Sequence, residues 1–345
     1  MTEYVGLDVS KEETSFCVMD EGGKILVRGK ALSDPQSLFG ALRKETLCPE
    51  RIVLETGTLS NWLARGLRDY GLPVDVIDAR QAHAVMKLQH NKTDANDAEL
   101  LATIARTGFC RPISVNSEAA QKQRILLKAR YHLICQRVDT LNTVRGLLGS
   151  LGLRFPKGTA KLVGLVRSAL LERSDLQVMI EPLLANVEAL EVQIKHLEAE
   201  VKAQAAASPA ALLLQTIPGV GPVVSLAYAA SMEDPERFAH SRTVGVYLGL
   251  TPRRHQSGET AYNGRISKYG DGMMRCLLYA AANSLLSTVR KAHPLKAWAR
   301  RIRNRKGYKK ACVALARKLA VIMHRMLITG EAFRWPEAAT IKTAH

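Results

Sequence analysis

The apolar pattern changes period once along the chain, and that change constrains the fold more than any other feature. Residues 4–9 (YVGLDV), 15–19 and 25–29 are short, apolar and β-branched, with Asp20-Glu21-Gly22-Gly23 as a turn between the last two. Residues 51–55 (RIVLE) predict another strand running into Thr56-Gly57. A helix is expected over 60–70, a strand over 73–78 and a helix over 94–106. Strands followed by αβ alternation predict an α/β domain over residues 1–112. From about 117 the pattern is helical, which predicts a helical coiled-coil region over 113–208 and a second, helical domain over 209–345.

Within the middle region Val187, Leu190, Ile194, Leu197 and Val201 step by three and four, a heptad seam. It predicts a helical arm that pairs between protomers, with a helix of an ordinary bundle as the plainer alternative. Residues 203–232 carry no charge, long enough to span a bilayer. Ser208-Pro209, Pro218-Gly219 and Gly221-Pro222 interrupt this stretch, so two buried helices and a turn are expected, and no membrane span. Ile217 to Pro222 resembles a helix-hairpin-helix turn, whose backbone N–H groups meet a DNA phosphate; the same glycines also suit plain close packing. Residues 251–272 are polar and turn-rich and read as a loop. Further helices are expected from 273 to about 290 and from 309 to about 328. Six scattered Cys form no CxxC pair, and the N-terminus has no signal-peptide pattern. A protein of a reducing cytosol, without disulfides or structural zinc, is expected.

The net charge of +17 is unevenly placed. Residues 1–110 hold 13 basic and 16 acidic side chains, whereas residues 209–345 hold 22 and 7. Arg300, Arg301, Arg303, Arg305, Lys306, Lys309 and Lys310 fall within eleven residues. A polyanion is the natural partner, because each neutralised phosphate releases a counterion.

Four acids stand out in the first domain. Asp8 lies in or at the end of the first strand, Glu55 ends a later one, and Asp94 and Asp97 share a helix face. A carboxylate within a buried strand is costly unless compensated, and Mg²⁺, a hard cation, takes carboxylate oxygens. Each acid also has a structural alternative: Asp8 as a turn cap, Asp94 as the N-cap of its helix. A second constellation comprises Arg253, Arg254, His255, Ser257 and Gly258, then Arg265, Ser267 and Lys268. Arginines hold phosphate oxygens bidentately, and a serine in such a loop is either a nucleophile on phosphorus or a hydrogen-bond donor. The residues alone do not choose between Ser257 and Ser267. No GxxxxGK[ST] occurs, which argues against a P-loop ATPase.

Three blocks carry a resemblance: YVGLDVSKE with Asp8; Asn91-Lys92-Thr93-Asp94-Ala95-Asn96-Asp97-Ala98; and Ile217-Pro218-Gly219-Val220-Gly221, continuing through Leu248 to Arg254, Ser257-Gly258 and Ile266 to Gly270. In this order the chain resembles the DEDD transposases of the insertion sequence 110 family, described as bridge-RNA-guided recombinases. One spacing departs, since Glu55-Thr56-Gly57 leaves a single residue before the glycine. The resemblance implies a ribonuclease-H-like (RuvC-type) first domain, a coiled-coil middle and a helical C-terminal transposase domain. It implies that Asp8, Glu55, Asp94 and Asp97 are the metal-binding catalytic acids and that Ser257 is the nucleophile. Arg253, Arg254 and Lys268 are expected to neutralise phosphate charge, and Arg265, Arg301, Arg305, Lys309 and Lys310 to bind nucleic acid. Implied partners are donor and target DNA, a structured bridge RNA, and further copies of the chain as dimer and tetramer. Two other classes compete: a RuvC-like junction endonuclease using activated water, and a non-enzymatic architectural protein.

Overall fold

The computed structural model describes residues 2–45, 49–86, 93–158, 161–257 and 260–334; Asn91, Lys92 and Gly258 of the motifs above lie outside them. The chain divides into two compact units, Met1–Ser117 and Glu118–His345. No helix among the described residues is long and apolar enough to cross a membrane.

The first unit is a mixed sheet with helices on both faces. In chain order it has β1 (Glu3–Val9), β2 (Glu13–Asp20), β3 (Ile25–Leu32), α1 (Pro35–Glu45), β4 (Pro49–Glu55), α2 (Ser60–Asp69), β5 (Val74–Ile77), α3 (Ala79–Met86), α4 (Asp94–Thr107) and β6 (Pro112–Ile113). The sheet order is β3-β2-β1-β4-β5-β6. The first three strands are an antiparallel meander, β4 and β5 add in parallel, and β6 closes the edge antiparallel. Side chains alternate across the sheet. Val5 and Leu7 of β1 and Ile52 and Leu54 of β4 therefore share a core with Leu38 and Leu42 of α1 and Leu63 and Leu67 of α2. Asp34 caps α1 by accepting from the Ser37 backbone N–H at 2.9 Å, and hydrogen bonding from Ser37 holds its carboxyl below the usual carboxylate range.

The opposite face receives α4 at backbone distance. A Cβ built on Gly6 would lie 2.1 Å from the Ala98 carbonyl oxygen and 2.2 Å from the Ala102 nitrogen. Only a residue without a side chain lets the first half of α4 rest on β1.

The second unit comprises α5 (Glu118–Gly149), α6 (Leu162–Ala169), α7 (Ser174–Ala207), α8 (Pro209–Gln215), α9 (Pro222–Ser231), α10 (Val244–Tyr247), β7 (Pro252–Ser257), β8 (Thr260–Ile266), α11 (Gly272–Ser287), α12 (Pro294–Lys306) and α13 (Tyr308–Thr329). Helices α5 and α7 pack antiparallel. Leu141, Val144 and Leu148 meet Ile180, Leu184 and Val187 at one end, and Arg130 pairs with Glu198 further along. Val187, Ile194 and Val201 of the heptad seam are buried. The seam that the sequence offers to a second protomer thus lies on α5 of the same chain. Beyond it, Leu214, Leu226, Tyr228, Leu278, Leu285, Leu315 and Leu319 join α8, α9, α11 and α13 in one core. The buried Tyr228 hydroxyl donates to the Ala320 carbonyl at 2.5 Å, and burial raises its pKa.

Two expectations change here. Within the stretch expected to be a loop, Pro252–Ser257 and Thr260–Ile266 pair as the two antiparallel strands of a β-hairpin. All six residues of β7 are exposed, so no alternation of apolar and polar side chains marks it; cross-strand hydrogen bonds alone define it. Helix α12 was not foreseen, because its basic run conceals the inward positions Leu295 and Ala299.

The base of the hairpin is clamped. Gly249 has φ +64°, and a Cβ there would lie 2.0 Å from the Tyr269 carbonyl oxygen. Around it the Ser267 N–H donates to Thr251 at 2.8 Å and the Lys268 N–H to Gly249 at 3.1 Å. The Arg275 guanidinium donates to the carbonyls of Tyr269 at 2.8 Å and Gly270 at 3.1 Å. Asp271, just beyond, caps α11 through Met274 N–H at 3.1 Å and holds Arg124 of α5 at 2.9 Å.

Both close approaches are open to test by denaturation and hydrogen exchange. Gly6→Ala should destabilise the first unit by about 3 kcal/mol, since neither backbone partner can yield; Gly40→Ala, facing open space within α1, should be neutral or stabilising. Gly249→Ala should destabilise the second unit by about 2 kcal/mol or more and raise exchange in β7 and β8. Gly264→Ala, whose Cβ would make only ordinary contacts, should do neither.

Candidate functional site

Alternation along β1 and β4 decides where the first two acids point. Gly6 faces α4, so Asp8, two residues on, lies on that same face. Val53 of β4 packs with Leu101 and Ile104 of α4, so Glu55 follows it there. The parallel register pairs Gly6 with Val53 and Leu7 with Leu54. One further step sets Asp8 beside Glu55 on adjacent strands, roughly 5 Å apart at the backbone. The Glu55 Oε2 atom is buried.

Helix α4 brings the other two acids. Thr93 is its N-cap, its Oγ1 accepting from Asn96 N–H at 3.2 Å, so the capping role open to Asp94 belongs to its neighbour. Asp94 and Asp97 occupy the first turn, where the positive end of the helix dipole favours carboxylates. Asp97 is only 7% exposed, and it precedes Ala98, whose carbonyl overlies Gly6. Asp94 is exposed, one turn earlier. Thus Asp8, Glu55 and Asp97 reach one face of the sheet near the ends of two central strands. Among the described residues no three His, Cys, Asp or Glu side chains are drawn together as a metal-holding group. The four acids are all carboxylates, without thiol or imidazole, a chemistry that suits a hard divalent cation.

In the second unit Ser257 and Ser267 sit at opposite ends of the hairpin. Ser257 pairs with Thr260 at its far end and is exposed. Ser267 lies in the clamp, where its Oγ accepts from Tyr269 N–H at 3.4 Å. Arg253 stacks over Tyr269 at 5.6 Å, Arg254 pairs in the ladder with Asn263, and His255 stacks on Tyr262 at 4.9 Å.

The hairpin base and the last two helices enclose a cleft of about 1600 Å³. Its apolar lining includes Leu250, Pro252, Ile266, Trp298, Val313 and Val321. Arg265 and Lys268 enter from the hairpin, Arg305 and Lys306 from the end of α12, and Lys309 and Lys310 from the start of α13. Arg317 and Lys318, two turns on, and Arg242, from a short 3-10 turn, complete it. No Asp or Glu lines it among the described residues. The fold thus gathers Arg265, Lys268, Arg305, Lys309 and Lys310, while Arg253 and Arg254 lie outside the lining. Arg301 lines a smaller neighbouring cavity of about 360 Å³ with Trp298 and Ile302.

Sequence reading missed Arg242, Arg317 and Lys318. For the last two a signal was present, since Lys310, Ala314, Arg317, Lys318 and Val321 recur at helical spacing. Arg242 had none. Lys296 belongs to the same basic helix but is buried, donating to the Val289 carbonyl; burial and then Arg300 lower its pKa. The turn between α8 and α9 serves packing, because Gly219, at φ +91°, rests against the backbone of α11 at Ala281 and Leu285.

Two family models match the chain. A DEDD transposase model of the IS110 group covers residues 5–152, and a model described as "Transposase IS116/IS110/IS902 family" covers 211–297. Full-length relatives agree. The chain is 30% identical to a transposase for insertion sequence element IS1111A from Coxiella burnetii, over 96% of this chain and 91% of that one. It is 31% identical to a putative transposase, y4pF/y4sB, of Sinorhizobium fredii, over 84% and 76%. It is 28% identical to a probable family 20 transposase of Pseudomonas aeruginosa, over 96% and 98%. With both models in chain order and a 30% identical relative matched over nearly its whole length, the chain belongs to the IS110 family of transposases, enzymes that cut and recombine DNA.

Proposed function

We propose that this transposase excises and inserts its own insertion sequence by strand cleavage and exchange through a phosphoserine intermediate on Ser257. The observation that carries the reading is the exposed serine at the free end of a basic hairpin whose base is rigidly clamped. Its Oγ would attack a scissile phosphorus. The Oγ–P bond forms, the bond to the departing strand oxygen breaks, and the hydroxyl proton passes to solvent or a nearby base. A strand hydroxyl then attacks the phosphoserine, rejoining DNA and restoring Ser257. Arg253 and Arg254, on the strand that carries Ser257, would neutralise charge on the phosphate in the transition state; Lys268, expected in the same role, lies with Ser267 at the opposite end of the hairpin and lines the cleft.

Membership in a DEDD family implies a divalent metal cofactor. Asp8, Glu55, Asp94 and Asp97 would hold it as Mg²⁺, and when bound it supplies Lewis-acid polarisation of phosphate oxygens. Asp94, exposed in the first turn of the helix that carries Asp97, would complete the set. The order β3-β2-β1-β4-β5, antiparallel then parallel, supports a ribonuclease-H-like, RuvC-type first domain over residues 1–112. In this reading α5 and α7 form the coiled-coil region over 113–208, and residues 209–345 are the transposase domain. A bridge RNA would pair with donor and target DNA, leaving the protein to read backbone shape. Dimers and tetramers would let the acids of one protomer serve the serine of another, in a bacterial cytoplasm on the nucleoid.

A covalent-adduct assay tests this. Protein, flanking RNA and labelled element-junction DNA are incubated with Mg²⁺ and run under denaturing conditions. A protein-linked DNA band is expected. It should vanish in Ser257→Ala, with strand cleavage falling by about 10³-fold or more and DNA binding retained. Asp97→Asn should also abolish it, as should EDTA. Cleaved DNA without linked protein, unchanged in Ser257→Ala, would mean a metal nuclease using water, and no cleavage under any condition would favour an architectural protein.

A further inference from the structure

We propose that the cleft between the hairpin base and α13 seats an unpaired stretch of nucleic acid, its phosphates on the cationic rim and its bases on the apolar floor. This deepens the recombinase reading and rests on it for the nature of the polyanion. Charge selects the class of ligand, since nine cations and no acid among the described residues line the cleft. Size argues against a lone nucleotide, because about 1600 Å³ exceeds the roughly 300–1,000 Å³ of small-molecule sites. The floor separates single strand from duplex. A duplex keeps its base faces stacked inside and presents phosphates and groove edges. Leu250, Ile266, Val313 and Val321 give those nothing to pair with, whereas unstacked bases need an apolar or aromatic cover.

The fold preorganises the cations that the sequence did not reveal. Arg242 lies on the turn at Ser241–Thr243, which buried His324 secures. His324 Nε2 lies 2.8 Å from the Pro235 carbonyl, which can only accept, so Nε2 carries a proton and donates. Nδ1 hydrogen-bonds with the Ser241 hydroxyl at 3.0 Å. Arg317 lies across Gly245, its Cγ 3.2 Å from where a Cβ would stand. The Lys318 ammonium sits over the Trp298 ring at 4.6 Å, bringing a cation to the one tryptophan of the floor.

The test is fluorescence anisotropy on the full chain, with labelled oligothymidylate, oligouridylate and a mixed-sequence duplex, each about twelve nucleotides long. Expected is tighter binding of at least one single strand than of duplex, the DNA and RNA arms identifying which strand the cleft prefers. In Arg317→Ala/Lys318→Ala, both exposed positions, single-strand affinity should fall about tenfold or more at 0.1 M salt. The slope of log K against log salt should fall by about 1.4, for two lost phosphate contacts. Trp298→Leu should weaken single-strand binding at least about fivefold with the salt slope unchanged. Duplex bound as tightly as single strand and weakened equally by the variants overturns the proposal, as does single-strand binding indifferent to them. If a Ser257 adduct forms despite either result, the recombinase reading stands and only the cleft assignment fails. Single-strand binding that depends on the cleft without any adduct leaves this inference intact and removes the catalytic one.

Discussion

The contact between the backbone of α4 and the backbone of β1 at Gly6 is the constraint on which the first unit depends. It brings the helix N-terminus over the central strand without an intervening layer of side chains. Two things follow. The first turn of α4, with Asp97 buried in it, arrives at the face where Asp8 and Glu55 emerge. The cost of confining carboxylates is also eased at one point, because the positive end of the helix dipole lies there. A side chain at position 6 would lift the helix and separate its acids from those of the strands.

The second unit solves the opposite electrostatic problem. Its cations repel one another and are placed around a cleft where no acid answers them among the described residues. Packing beneath holds them: α13 is buried along Leu315, Leu319 and Met323, and the hairpin base is held by backbone hydrogen bonds and by Arg275. The exposed hairpin has no core of its own. Its direction comes from the clamp, including Lys268 at φ +57°, a conformation that costs energy for a residue with a side chain and persists only where the surroundings enforce it.

Much of the fold was legible in the sequence because burial writes itself into period. Strands β1, β2, β4 and β5 and helices α2, α4, α11 and α13 each bury one face or both, and each appears near its expected place. The hairpin of β7 and β8 was illegible because neither face of β7 is buried. Helix α12 was hidden because charge dominates its composition while only Leu295, Lys296 and Ala299 are fully buried. Val187 and Val201 of the seam on α7 are buried in clusters that include residues of α5; a heptad pattern does not carry the identity of its partner.

The candidate sites divide in the same way. The sequence by itself determined the inventory: four acids in strand, strand, helix order, a serine in a basic segment, and a concentration of cations in the last third. Residue type and local spacing suffice for these, because chemistry and helical or strand period are local properties. Only the tertiary structure decided which members meet. Asp8 and Glu55 become neighbours through a parallel pairing of residues far apart in the chain, and a helix seated on a glycine brings the turn that carries Asp97 to the same face of the sheet. Arg242, Arg317 and Lys318 join the cleft while Arg253 and Arg254 do not, since long-range packing sets which side of an element faces a neighbour and no local pattern encodes that.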